Sequence, residues 1–126
     1  MTAVKEANQG FAHRIDPCVL CSYEVDCDDV VDLTLEQERE KFSITPGGMA
    51  CAWATSLSDG SRPASWSIHD RLRAQGIAGI LVPSFAPGAE AEDRNLVLWD
   101  WGPDLPHKVT VFDPSGRLPK DQLSWR

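Results

Sequence analysis

Four kinds of residue in this chain have the chemistry to form a site. Ser84 follows the run Gly79-Ile80-Leu81-Val82-Pro83, in which apolar residues lead straight into a proline. Proline has no N–H to give a neighbouring strand, so pairing should stop there and Ser84 should emerge at a strand end. Ligand sites often lie at strand ends, but the residues alone favour a plain strand-to-loop stop. Ser84 lacks the G-x-S-x-G elbow that exposes a serine nucleophile, which points to a hydrogen-bonding role. Cys18 and Cys21 form a C-x-x-C pair, but no second pair accompanies Cys27 and Cys51. Zinc needs four ligands, and within a strand residues i and i+3 point to opposite faces. No metal is therefore expected, and the cysteines read as small, buried, reduced thiols.

His13, His69 and His107 are scattered and form no His-x-x-x-His ligand pair. Among the carboxylates, Glu24, Glu36, Glu38, Glu40 and the loop Glu90-Ala91-Glu92-Asp93 read as solvated charge. Glu6 stands on an otherwise weakly polar segment, and by itself it too reads as a surface residue. Neither a P-loop nor a G-x-G-x-x-G occurs, so any nucleotide site must be built differently.

These residues need elements to position them. Residues Thr2 to Phe11 favour a helix, with Ala3, Val4 and Ala7 on one side and Gly10 as its stop. Cys18 to Val25 is rich in strand formers, Asp26 to Asp29 reads as a turn, and Val30 to Leu33 as a short extended piece. Leu35 to Phe42 reads as a charged helix, capped by Thr34 with Gln37 three residues on. Thr45-Pro46-Gly47-Gly48 should break the chain, and Ala50 to Thr55 reads as a short helix. Pro63 to Gln75 is the clearest helix, stopped by Gly76. Strands are expected at Ile77–Val82, Asn95–Trp101 and Lys108–Asp113, the last from its clean alternation. Separate helices and short strands make the fold class α+β.

Composition narrows the function. The chain has 126 residues, 42% of them hydrophobic, with 19 acidic against 12 basic residues and a formal charge of −7. That balance argues against gripping a phosphate backbone and hence against direct nucleic-acid binding. No apolar run reaches the roughly 18 residues that span a bilayer, and MTAVKEANQG has no signal-peptide core, so no membrane association and a cytoplasmic location are expected. Trp53, Trp66, Trp99 and Trp101 lie in patterned segments, so most of them are expected in the core or a pocket wall; Trp125 should be exposed.

The order of several motifs resembles a known family. Thr2-Ala3-x-x-Glu6 comes first, then Tyr23-Glu24-Val25-Asp26 leading to Val30-Val31-Asp32-Leu33-Thr34. Next come Trp66, Arg71-Leu72, Gly76 and Gly79 through Ser84, then Arg94 through Trp99, then Val111-x-Asp113-Pro114-Ser115-Gly116-x-Leu118-Pro119. In that order the chain resembles the RES domain, named for its arginine, glutamate and serine, over nearly its whole length, as a single domain spanning residues 1–126.

The resemblance implies an ADP-ribosyltransferase-like fold, similar to diphtheria toxin, with mainly antiparallel sheets and flanking helices. It implies the toxin of a type II toxin–antitoxin pair, with an Xre-type helix-turn-helix antitoxin as partner and NAD as substrate. The ADP-ribose would go to a protein target, to water or to phosphate. By position the family's glutamate falls on Glu6 and its serine on Ser84, the implied catalytic pair. Asn95 matches a polar position common in the family and would help bind NAD, as would Ser84. Val82 departs from the tyrosine more usual before Pro-Ser. The family's arginine lies upstream of the Thr2–Glu6 segment, so the chain is expected to lack it together with the first strands. The alternative reading is an inactive RES fragment that only binds its antitoxin.

Overall fold

The computed structural model describes residues 2–7, 19–50 and 60–118. Among these the elements run α1 (Thr2–Ala7), β1 (Ser22–Cys27), β2 (Val30–Asp32), α2 (Glu36–Lys41), α3 (Pro46–Met49), α4 (Ala64–Ala74), β3 (Gly79–Pro83), β4 (Arg94–Leu98) and β5 (His107–Phe112). The architecture is mixed α+β. One sheet is the two-stranded antiparallel ribbon β1–β5; the other is three-stranded in the order β2-β3-β4, parallel in its first pair and antiparallel in its second.

The core forms where α4 meets the three-stranded sheet. Ile68 and Leu72 are one helical turn apart and so share a face. They cluster with Leu33 and Ile44, and Val31, Ile80 and Val82 of the sheet pack against them. Leu33 and Leu72 are almost wholly enclosed. Burying each contributes about 1.5–3 kcal/mol. Leu33 also donates its N–H to Leu81 O, which carries the β2–β3 pairing one residue further.

Helix α4 ends as its sequence predicts. Gly76 has φ +79°, Gly76 N–H bonds to Arg73 O, and Ile77 N–H reaches back to Leu72 O. This is a Schellman stop, which needs a residue tolerant of positive φ. Strand β3 then begins at Gly79, where a Cβ would lie 2.5 Å from both Val97 O and the Leu98 side chain. Glycine lets β4 approach closely at the root of the strand that ends in Ser84.

Several local expectations are corrected. Strand β1 starts at Ser22 rather than Cys18 and runs through Asp26 and Cys27. The stretch from Asp26 to Asp29 is thus a turn only at its end. Thr34 does not cap α2: the N-cap is Leu35, with no side-chain bond. The Thr34 hydroxyl donates to Asp32 instead. The local Asp–Thr turn competes for the hydroxyl and wins. The Arg39 guanidinium donates to Leu33 O and Thr34 O, and so ties α2 to the end of β2. Thr45-Pro46-Gly47-Gly48 is not a break but the start of α3: the Thr45 hydroxyl accepts from Gly48 N, and Pro46 occupies the first turn.

Trp66 and Trp101 are exposed rather than packed. Trp66 lies two residues from Ile68 and therefore on the outer side of α4, where the Arg62 guanidinium sits over its ring. Trp99 does pack against the core, and its indole N–H donates to Ile77 O at 2.7 Å. The expected Ala50–Thr55 helix, Gly10, Cys18, Cys51, His13, Trp53 and Trp125 lie outside the described residues, apart from Ala50, which follows α3 in a turn.

His107 at the start of β5 ties the two sheets together. Its Nε2 lies 3.1 Å from Asp29 and its Nδ1 3.4 Å from Asp100. Asp29 immediately precedes β2 and Asp100 lies two residues beyond β4.

Candidate functional site

Two adjacent strand ends and one short helix converge. Strands β3 and β4 pair with Val82 opposite Asn95 and Pro83 opposite Arg94. Side chains alternate across a strand, so Asn95 rises on the same face as Val82. Pairing does not end at Pro83, because Ser84 N–H bonds to Asp93 O at 2.9 Å. Proline lacks a donor but keeps its register, and the chain diverges only after Ser84. The Ser84 hydroxyl accepts from Ala86 N at 3.3 Å, an ST-type turn that fixes its direction.

Helix α1 lies against these strand ends. Glu6 Oε1 accepts from Ser84 Oγ at 2.5 Å and from Asn95 Nδ2 at 2.5 Å, across 78 and 89 positions of sequence respectively. Glu6, Ser84 and Asn95 are all half-buried. A ligand can reach them, yet local polarity is lower than in open water, which strengthens electrostatic contacts. Charge-assisted bonds from two donors orient the carboxylate.

A second set of bonds holds the same helix. Thr2 Oγ1 donates to Asp93 Oδ1 at 2.7 Å, and Lys5 Nζ donates to Asp93 Oδ2 at 2.5 Å. Glu90 N–H completes the shell at 2.8 Å from Oδ2. Thr2, Lys5 and Glu6 are spaced i, i+3, i+4 and form one face. The docked face of α1 is therefore polar; Ala3 and Val4, on the expected apolar side, are exposed.

Asp93 also corrects an expectation. The loop Glu90–Asp93 reads in sequence as wholly solvated, yet Asp93 is only 7% exposed. The Glu90 N–H, then Lys5 and Thr2, hold its carboxyl far below the usual range, against the opposing effect of burial. Lys5 is shifted upward, chiefly by its bond to Asp93. Folding thus favours the ionised pair. For Asp93 the stabilisation is complete above the ordinary carboxyl value of 3.8 and is lost only as pH falls through its depressed value. For Lys5 it is complete below 10.5 and lost as pH rises through its raised value.

The other candidate residues lie elsewhere. His69 stacks edge-on against Trp99 at 4.9 Å and His107 is held by its two aspartates, so neither partners Ser84. Cys21 and Cys27 are free and half-buried, and burial, followed by Asp26 and Asp28, pushes the Cys27 thiol up. Among the described residues no cluster of His, Cys, Asp or Glu could hold a metal ion, and no helix is long and apolar enough to cross a membrane. A depression of about 270 Å³ between α3 and α4, lined by Thr45, Gly48, Ser67, Ile68 and Arg71 among others, contains none of the converging residues.

Sequence reasoning missed Asp93, Thr2 and Lys5. The available signal was weak: an aspartate just before a strand whose next residue but one is Asn95, and a Thr-x-x-Lys-Glu face on a short helix.

A comparison with family models matches the RES domain over residues 1–121. No curated protein and no solved structure matches the chain.

Proposed function

The chain belongs to the RES domain family, and from that premise we propose that it cleaves the nicotinamide–ribose bond of NAD at Glu6, Ser84 and Asn95. RES domains are associated with NAD-acting enzymes and with toxin–antitoxin pairs. The observation that carries the reading is the convergence of Ser84 and Asn95 on one oxygen of Glu6.

Breaking the glycosidic bond sends its electron pair to the nicotinamide nitrogen, which leaves neutral. Positive charge then spreads over the ribose anomeric carbon and ring oxygen. A carboxylate held beside that carbon stabilises the charge as it develops, as carboxylates do in glycoside cleavage. Glu6 takes this role, or holds a ribose hydroxyl and orients the acceptor. Ser84 and Asn95 fix the Glu6 carboxylate before substrate arrives and can turn their polar groups to the nicotinamide ribose when it does. The nucleophile that captures the sugar loses a proton; it is water, phosphate or a protein side chain.

In this reading the protein is a toxin with an ADP-ribosyltransferase-like fold, works in the cytoplasm, and is paired with an Xre-type antitoxin. Its acidic charge of −7 suits a basic partner surface.

The test uses NAD labelled separately in nicotinamide and in adenine, incubated with the purified protein, phosphate and cell lysate. Free labelled nicotinamide is expected in every reaction. Adenine label on a protein band identifies transfer, and label in ADP-ribose or its phosphorylated form identifies hydrolysis or phosphorolysis. Intact NAD after prolonged incubation at high enzyme concentration would overturn the proposal.

A further inference from the structure

We propose that Asp93 is the positioning residue of this site. Its carboxylate fixes helix α1, its backbone carbonyl fixes Ser84, and so one residue sets how Glu6 meets the strand ends. The proposal rests on the reading of Glu6 as the acting carboxylate.

Helix α1 is six residues long. A helix that short does not persist alone in water, where even good sequences need about 12–15 residues. It needs anchors from the rest of the fold. Glu6 supplies one set, to Ser84 and Asn95. Those bonds are the ones a substrate must compete for. If they were the helix's only hold, ligand binding would loosen the residue that is meant to act. The bonds from Thr2 and Lys5 to Asp93 lie outside that exchange, on the same helical face.

Asp93 also stands at the right place on the other half of the site. Its carbonyl accepts from Ser84 N at 2.9 Å. Two residues on, Asn95 donates to Glu6. The Glu90 N–H holds the carboxylate from within its own loop. Burying a carboxylate adds little net stability even when it is paired. What three converging donors give is a fixed geometry. Misplacing a reacting group by about 1 Å can cost about a hundredfold in rate.

The test compares Asp93→Asn with the double variant Thr2→Val/Lys5→Met, which removes the α1 bonds from the other side and leaves the Glu90–Asp93 bond intact. Two readouts are taken on the full chain: hydrogen exchange of the Glu6 and Ala7 amides, and kcat and KM for nicotinamide release from NAD. Both variants are expected to speed amide exchange at least about tenfold and to lower kcat by about 10- to 100-fold, with KM changed less than about threefold. Combining all three substitutions should cost less than the sum of the two variants, because both remove the Lys5–Asp93 ion pair.

Wild-type exchange of α1 amides in Asp93→Asn would overturn the proposal. So would a Thr2→Val/Lys5→Met protein with wild-type kcat, which would confine Asp93 to its own loop. If Asp93→Asn does not fold, the double variant decides. If the wild-type protein releases no nicotinamide, the NAD reading fails, and amide exchange alone decides whether Asp93 positions α1.

Discussion

The β2–β3–β4 sheet and the β1–β5 ribbon are both rich in valine, yet they sit in different surroundings. Ile80, Val82 and Val31 of the sheet pack against the core cluster to which Ile68 and Leu72 of α4 belong. No residue of the ribbon is fully buried: Tyr23, Val25 and Val111 on its apolar face are 59%, 43% and 49% exposed. The converging residues Ser84 and Asn95 stand on the packed sheet or at its end, not on the ribbon. Positioning to a fraction of an ångström needs rotamers locked by packing, and only the first sheet offers that.

The largest expected effect of breaking this contrast is at Leu72, 1% exposed under the sheet. Leu72→Ala should lower unfolding free energy by about 2–5 kcal/mol in a urea titration, since the removed atoms leave a cavity. Gly79→Ala should come next, at about 1–3 kcal/mol by the same measurement. Its Cβ would lie against the Val97 backbone oxygen, which cannot rotate aside. Because Gly79 begins the strand that ends in Ser84, this variant should also lose activity beyond its loss of stability. Smallest is Val111→Thr on the ribbon, expected to change stability by less than about 0.5 kcal/mol. A Val111 effect as large as that of Leu72 would erase the difference between the two sheets.

The sequence made much of this fold legible, for reasons specific to each element. Helix α4 could be read because Gly76 marks its stop and Ile68 and Leu72 mark its face. Strand β5 could be read because Val109 and Val111 alternate with Lys108 and Thr110. The strand ending near Pro83 could be read from a short apolar run bounded by glycine and proline. The site was legible only in outline. Resemblance pointed to Glu6, Ser84 and Asn95, but nothing local tells that residues 78 and 89 positions apart share one carboxylate oxygen.

Asp93 was illegible because its burial comes from the helix docked above it, while its neighbours Glu90, Ala91 and Glu92 are largely exposed. Trp66 and Trp101 misled because size suggests burial, whereas position on the element decides it. Thr34 misled because a hydroxyl beside a helix start can serve the turn before it as readily as the helix.

The central claim is that Glu6 is the group that acts on NAD. Nicotinamide release at saturating NAD, measured for the wild-type protein and for Glu6→Gln at matched melting temperature, tests it most directly. The glutamine keeps the size of the side chain and a hydrogen-bonding oxygen but removes the charge. The expected result is a fall of about a hundred- to a thousandfold in kcat, the loss typical when one preorganised electrostatic group is removed. Equal rates for the two proteins would contradict the assignment.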